Sequence, residues 1–184
     1  MIISIEGDQG RGKTCLLTFF SKSYAEQGYA VFANYPLKFP YVPIRTLEDL
    51  RKATYGILAM DEFYVWMDSR SSGTKANKAT SYLIFYTRKK MLDFFFTTHR
   101  FGNVDKRVRR LTDERLFPKL IQLESGQVFL TCQVFARSQT SDDEFIFMRN
   151  FTLNAKPLFK LYDHTSGIFA PAEDMLPTKS SHPR

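Results

Sequence analysis

GDQGRGKT, residues Gly7 to Thr14, sits between a short apolar strand, Ile2 to Glu6, and a run with helical periodicity, Lys13 to Gln27. The octet fits G-x-x-x-x-G-K-[ST], with Gly7, Gly12, Lys13 and Thr14 at the fixed positions. Such a loop must turn so that successive backbone N–H groups face inward around phosphate oxygens. Glycine permits the angles this requires. The reading assigns residues Gly7, Asp8, Gln9, Gly10, Arg11, Gly12, Lys13, Thr14 and Cys15 to phosphate binding. Lys13 would reach the β- and γ-phosphates, and the Thr14 hydroxyl would ligate Mg²⁺. The helix that follows points its positive N-terminus at the same place. Strand, loop and helix in that order are the context that separates a phosphate loop from a chance glycine turn, so the chain is expected to bind a nucleoside triphosphate.

Working outward, Leu16, Leu17, Phe19, Phe20 and Tyr24 give the first helix its apolar face, and Gly28 ends it. A second strand, Tyr29 to Asn34, stops before Pro36. Thr46 caps a short helix to about Lys52, with Glu48 and Asp49 in its first turn, where carboxylates suit the helix dipole. GILAMD, Gly56 to Asp61, reads as a third strand. A polar stretch around Ser69 to Lys75 precedes a helix from about Asn77 to Lys90. LDFFFTTH, Leu92 to His99, is apolar on both faces, as the middle of a parallel sheet requires. A strand near Leu120 to Leu123 follows, and then a hairpin, Gln127 to Ala136 and Glu144 to Leu153, joined by the polar turn RSQTSDD. The alternation predicts an α/β fold with an antiparallel addition.

The totals agree with one globular domain. The chain has 184 residues, 43% hydrophobic and 15% aromatic, with 18 phenylalanines. Its net charge of +7 and pI near 9.4 are compatible with a polyanionic partner or with a solvated basic face. The two cysteines, Cys15 and Cys132, match no metal-ligand spacing, which suits a reducing, intracellular setting. No signal peptide precedes the first strand, and no apolar run approaches the roughly 18 residues that span a bilayer, so a soluble protein is expected.

The acidic pair Asp61–Glu62 emerges at the C-terminal end of a buried strand. Asp61 would hold Mg²⁺ through water, and Glu62 would polarise the attacking water. A kinase gains nothing from a water-activating carboxylate, so the pair favours hydrolysis over phosphoryl transfer to a small acceptor. At the end of the next apolar strand stand Thr97, Thr98 and His99. Thr98 or His99 is the expected sensor of the γ-phosphate, or the group that orients the water. Arg70, Arg88, Arg107, Arg109 and Arg110 are candidates for an arginine supplied to a neighbouring subunit's site, where it would stabilise transition-state charge. Basic segments of this kind also suit phosphate contacts along DNA. Phe63, Tyr64 and Trp66, next to the acidic pair, read chiefly as packing between helix and sheet, with base stacking as the alternative.

GDQGRGKT, ANYPL (Ala33–Leu37), LAMDEFYVWMDSR (Leu58–Arg70), RKKMLDFFFTTHR (Arg88–Arg100), VDKRVRR (Val104–Arg110) and LYDHT (Leu161–Thr165) together resemble viral genome-packaging and assembly ATPases. The resemblance is to small single-domain members of the FtsK/HerA type and to the related zonular-occludens-toxin-like ATPases of filamentous phages. It spans residues 1–165 and leaves 166–184, rich in Pro, Ser and Lys, as a tail. It implies a single P-loop NTPase domain of the RecA-like, additional-strand type, in which the strand after the Asp–Glu strand inserts beside the phosphate-loop strand. It implies ATP and Mg²⁺ as ligands, a ring of six or five subunits, double-stranded DNA and a capsid or portal-vertex protein as partners. The setting implied is the host cytoplasm, with transient residence at the virus particle. Motors of this kind often carry glutamine at the strand end, where this chain has TTH. The membrane segment of the filamentous-phage relatives is absent, which favours filling a capsid over extrusion. A membrane-associated assembly ATPase, a nucleotide-binding switch and a nucleotide kinase are the competing readings.

Overall fold

The computed structural model describes residues 1–67, 87, 89–141, 144–163 and 167–169. Among the described residues eight strands form one sheet: β1 (Ile2–Glu6), β2 (Ala30–Ala33), β3 (Val42–Pro43), β4 (Gly56–Met60), β5 (Leu92–Thr98), β6 (Glu114–Gln122), β7 (Val128–Arg137) and β8 (Phe145–Asn154). Their order across the sheet is β3-β2-β4-β5-β1-β6-β7-β8. Pairing is parallel from β3 through β6 and antiparallel from β6 to β8. β5 lies between β4 and β1, the inserted position, with Phe96 beside Met60 on one side and Ser4 on the other.

Two apolar layers enclose this sheet. On one face α1 (Lys13–Glu26) buries Cys15, Leu16 and Leu17 against Ile3, Ile5, Phe95, Leu130 and Cys132. The opposite face carries Ile2, Leu58, Met60, Phe94 and Phe96. Over it pack α2 (Leu47–Lys52), α3 (Phe63–Met67) and α4 (Lys106–Leu111), through Leu50, Phe63, Trp66 and Val108. Burial on both sides explains why β1, β4 and β5 are continuous apolar runs and not alternating ones. α2 begins in a complete capping box: the Thr46 hydroxyl accepts from the Asp49 N–H at 3.1 Å, and the Asp49 carboxylate accepts from the Thr46 N–H at 2.9 Å. Gly56 opens β4 at φ 158°, where a Cβ would fall on the Ala30 carbonyl; no larger residue fits.

Three elements differ from the sequence reading. The expected strand at 120–123 is the far end of a nine-residue strand that starts at Glu114. Pro118 hides its length, yet proline is tolerated there because pairing with β1 already ended at Leu116. The antiparallel addition is therefore a three-stranded meander, β6-β7-β8, and not a hairpin alone. The edge strand β3 gave no signal, being two residues with a proline. Most of the helix expected at 77–90 and most of the tail lie outside the described residues. Residues 167–169 lie against the domain: the Phe169 N–H donates to the Asn34 carbonyl at 2.6 Å, and the Trp66 indole donates to the Phe169 carbonyl at 3.0 Å.

Candidate active site

The loop after β1 turns through three glycines at positive φ, Gly7 at 145°, Gly10 at 77° and Gly12 at 92°. Gly12 is also the N-cap of α1. A Cβ there would stand 2.5 Å from Leu130 Cδ1 and 2.9 Å from Leu120 Cγ. The meander thus has a mechanical part in the site: side chains of β6 and β7 back the loop so closely that only glycine fits. Cys15 follows the loop, but its thiol is buried in the core, and burial pushes its pKa up to about 12 against a hydrogen bond from Tyr162.

The acidic strand end is held from three directions. Thr14 Oγ1 donates to Asp61 Oδ2 at 3.0 Å, and Thr97 Oγ1 donates to Asp61 Oδ1 at 2.6 Å. Asn34 clamps the backbone of the same residue, its Oδ1 accepting from the Asp61 N–H at 2.6 Å and its Nδ2 donating to the Asp61 carbonyl at 2.8 Å. Burial raises the Asp61 pKa, opposed by the bonds from Thr97 and Thr14. Burial likewise lowers the Lys13 pKa, against the pull of Glu62, Asp61 and Asp8. The next residue, Glu62, adopts a left-handed φ of 48°, and Thr97 Oγ1 accepts its N–H at 2.8 Å. That unusual backbone turns the chain sharply from β4 into α3 and projects the carboxylate toward the loop.

Glu62 Oε2 is buried and accepts no hydrogen bond. His99 stands between it and the lysine: Nε2 is 3.5 Å from Glu62 Oε2, and Nδ1 is 3.4 Å from Lys13 Nζ. Lys13 Nζ also donates to the Asp8 carbonyl at 3.1 Å. The Tyr64 hydroxyl bonds to Glu62, and with burial this pushes the phenol up to about 12. Among the described residues, no group of three His, Cys, Asp or Glu side chains forms a metal cage. Mg²⁺ takes one or two protein oxygens and completes its shell with phosphate and water. Thr14 Oγ1 and Asp61 Oδ2, 3.0 Å apart, are the two side-chain oxygens that would be offered to such an ion.

The sequence-derived residues therefore divide. Lys13, Thr14, Asp61, Glu62 and His99 converge beside the loop. Thr98 does not join them: it is fully buried, opposite Glu6 in the β1–β5 register, and its Oγ1 donates to the Arg100 carbonyl at 3.1 Å. Thr97 takes the contacts with Asp61 and Glu62 instead. Asn34 joins the site without being singled out for it, though it lies within the ANYPL segment, and Tyr64, read from the sequence as packing or base stacking, bonds to Glu62 instead. Phe63 and Trp66 pack into the core, as the packing reading of that cluster requires. Arg107 pairs with Asp105 at 2.9 Å, and Arg109 Nε donates to the Val104 carbonyl at 2.9 Å. Arg110 is exposed. Arg70 and Arg88 lie outside the described residues.

Fold and loop together define a P-loop NTPase fold of the RecA-like type. Among solved structures, the chain is similar to the N-terminal domain of zonular occludens toxin from Neisseria meningitidis. The identity is 21% and the TM-score 0.56, over 88% of this chain and 98% of that one. It is similar also to the flagellar accessory protein FlaH from Methanocaldococcus jannaschii, at 11% identity and TM-score 0.49 over 80% and 89% of the two chains. A third is the Legionella pneumophila ATPase DotB, at 12% identity and TM-score 0.46 over 77% and 47%. No protein-family model matches the chain, and no curated protein matches it by sequence.

Proposed function

We propose that the protein hydrolyses ATP and that, assembled as a ring of six or five subunits, it uses the energy to move double-stranded DNA into a virus particle. The observation that carries the hydrolytic part is the Glu62 carboxylate: buried on one oxygen, without a hydrogen bond there, and facing the same space as Lys13 and the loop. A kinase or a passive switch has no use for such a group, whereas a hydrolase needs a base beside the γ-phosphate.

In this reading, backbone N–H groups of Gly7 to Cys15 and the Lys13 ammonium hold the phosphates. Thr14 and Asp61 hold Mg²⁺, which would offset the charge developing between the β- and γ-phosphates. Thr97 fixes Asp61 and Glu62 relative to each other through one hydroxyl. Glu62 orients a water and accepts its proton, while Asn34 and the Thr97 bond keep the strand end from shifting.

DNA is favoured by exposed basic residues that follow β5. Lys106 and Arg110 stand one turn apart on the exposed side of α4, and Arg100 lies just before it. Among the candidates within the described residues, Arg110 is the one best placed for a neighbouring subunit, because Arg107 and Arg109 are engaged within their own chain. A capsid or portal-vertex protein would receive the ring, and the host cytoplasm is where it would work. Similarity over 98% of a zonular occludens toxin domain supports a second reading, an assembly ATPase that partners a membrane protein. Among the described residues no helix is long and apolar enough to cross a membrane.

Turnover of ATP with and without long duplex DNA, over a series of salt concentrations, tests the choice. Stimulation by duplex that fades as salt rises is expected. Hydrolysis indifferent to DNA at every salt concentration contradicts the translocase and leaves the assembly reading.

A further inference from the structure

We infer that the open face of the β6–β7–β8 meander binds single-stranded nucleic acid, with bases stacking on its phenylalanines and phosphates meeting its cations. The inference goes beyond the proposed motor and rests neither on ATP hydrolysis nor on movement of duplex. Toward α1 the three strands turn Leu116, Leu120, Leu130, Cys132, Phe151 and Leu153, all packed in or against the core. The alternate residues point the other way, and there none is buried. α4 covers the neighbouring part of that side, over Ile2, Phe94 and Phe96. It ends at the rim of the meander, where Arg137 Nη2 donates to the Arg109 carbonyl at 2.6 Å and Nε to the Thr112 carbonyl at 2.8 Å.

Three rings cross this shelf. Phe117, Phe135 and Phe147 stand on β6, β7 and β8, with ring centres 5.5 and 5.6 Å apart and planes at 87° and 71°. Phe117 and Phe135 are half-buried, whereas Phe147 on the edge strand is 49% exposed. In an edge-to-face row each ring braces the next, and a face turned away from its neighbour is left to a flat ligand. The register sets exposed polar groups beside the rings. Gln133 and Asn150 lie level with Phe117, and Lys119 lies one step further along β6. Their amides suit base edges, and the lysine suits a phosphate.

Charge and shape together choose the occupant. No residue of these strands that points this way is acidic, and three are cations: Arg115, Lys119 and Arg137. Glu6 on β1 matches Arg115, and Lys119 stands exposed among the rings. A second copy seated on the same patch would set these cations against their counterparts with no acid between them. A duplex keeps its base faces stacked inside and meets proteins through backbone and groove edges, so the rings would add nothing. A single strand offers both base faces and phosphates. An open sheet carrying aromatics holds two or three stacked bases in this way.

Fluorescence anisotropy tests the inference, with full-length, nucleotide-free protein and a labelled oligothymidylate of about twenty nucleotides. The oligomer is expected to bind at least about tenfold more tightly than a duplex of the same length. Each phosphate contact to a single strand contributes about −0.7 to the log–log salt slope, so three cations predict a slope no steeper than about −2. Phe147→Ala should weaken binding about tenfold, and Lys119→Glu should weaken it as well. Ile146→Ala removes an equally exposed side chain, 51%, that points to the other side of the same strand, and it should change nothing. Urea curves check that each variant keeps its fold. No binding, a duplex bound as tightly as the single strand, or an affinity unmoved by Phe147→Ala overturns the inference. An oligomer that Phe147→Ala dissociates, with oligothymidylate affinity unchanged, assigns the face to a second copy and overturns it too. No nucleotide is present in the assay, so a failure of ATP hydrolysis leaves this result standing, and the reverse holds.

Discussion

Replacing Arg115 with alanine should weaken the fold at the point where β1 feeds the phosphate loop. Glu6, the last residue of β1, is 4% exposed, and Arg115 meets it with two bonds of 2.7 Å, Nε to Oε1 and Nη2 to Oε2. Ser4 Oγ donates to Oε1 at 2.7 Å as well. The guanidinium, 26% exposed, lies 4.3 Å from the centre of the Phe101 ring, with Phe145 at 5.2 Å and Phe117 at 5.3 Å. Truncation would leave a buried carboxylate with the Ser4 hydroxyl alone. Losing one partner of a buried pair costs about 3–5 kcal/mol. The partial exposure of Arg115 lets water reach the gap, so the low end, about 3 kcal/mol, is expected. For a chain of this size that is a fall in Tm of roughly 6–12 °C. Urea unfolding followed by the fluorescence of Trp66, the single tryptophan, measures it. Glu6→Gln combined with Arg115→Met should recover most of the loss, since neither group is then a stranded charge. A cost below about 1 kcal/mol for Arg115→Ala, or a double variant no better than the single one, refutes the reasoning.

Gly12→Ala should abolish nucleotide binding in a calorimetric titration and cost about 1–3 kcal/mol, because its Cβ meets Leu130 and Leu120 at a φ of 92°. Asp61→Asn should stabilise the nucleotide-free protein near neutral pH, since burial opposes the charged carboxylate. A carboxyl whose folded pKa is raised opposes folding fully above that value, and the opposition fades as pH falls through it. The advantage of the variant should therefore shrink on acidification and vanish below the ordinary aspartate value of 3.8, as denaturant curves across pH will show. Thr97→Val should cost about 1–3 kcal/mol by leaving the Glu62 N–H without its acceptor, and Thr97→Ser should restore most of it in the same unfolding assay.

The parallel half of the fold was legible because its signals are local. A glycine loop between strand and helix, and strands apolar on both faces, need no distant information. The place of β5 came from resemblance, since no residue of LDFFFTTH announces its neighbours. β6 was cut short because Pro118 reads as a breaker, and what makes it tolerable is the end of pairing with β1 at Leu116, a fact of topology. In the site, Lys13, Thr14, Asp61 and Glu62 were readable from spacing. Thr97 and Thr98 could not be ranked by composition, because strand alternation puts them on opposite faces and only the register says which face holds Asp61. Asn34 and Arg115 reach partners 27 and 109 positions away, and contacts at that separation leave no periodic trace.

The central claim is that the Glu62 carboxylate activates water for ATP hydrolysis. Phosphate release by the wild-type chain and by Glu62→Gln, each with its ATP affinity measured alongside, tests it most directly. The account predicts turnover in the wild type, a fall of about 100-fold or more in the variant, and an affinity for ATP that is kept. Turnover that survives Glu62→Gln, or a wild type that binds ATP tightly and never hydrolyses it, would contradict the claim.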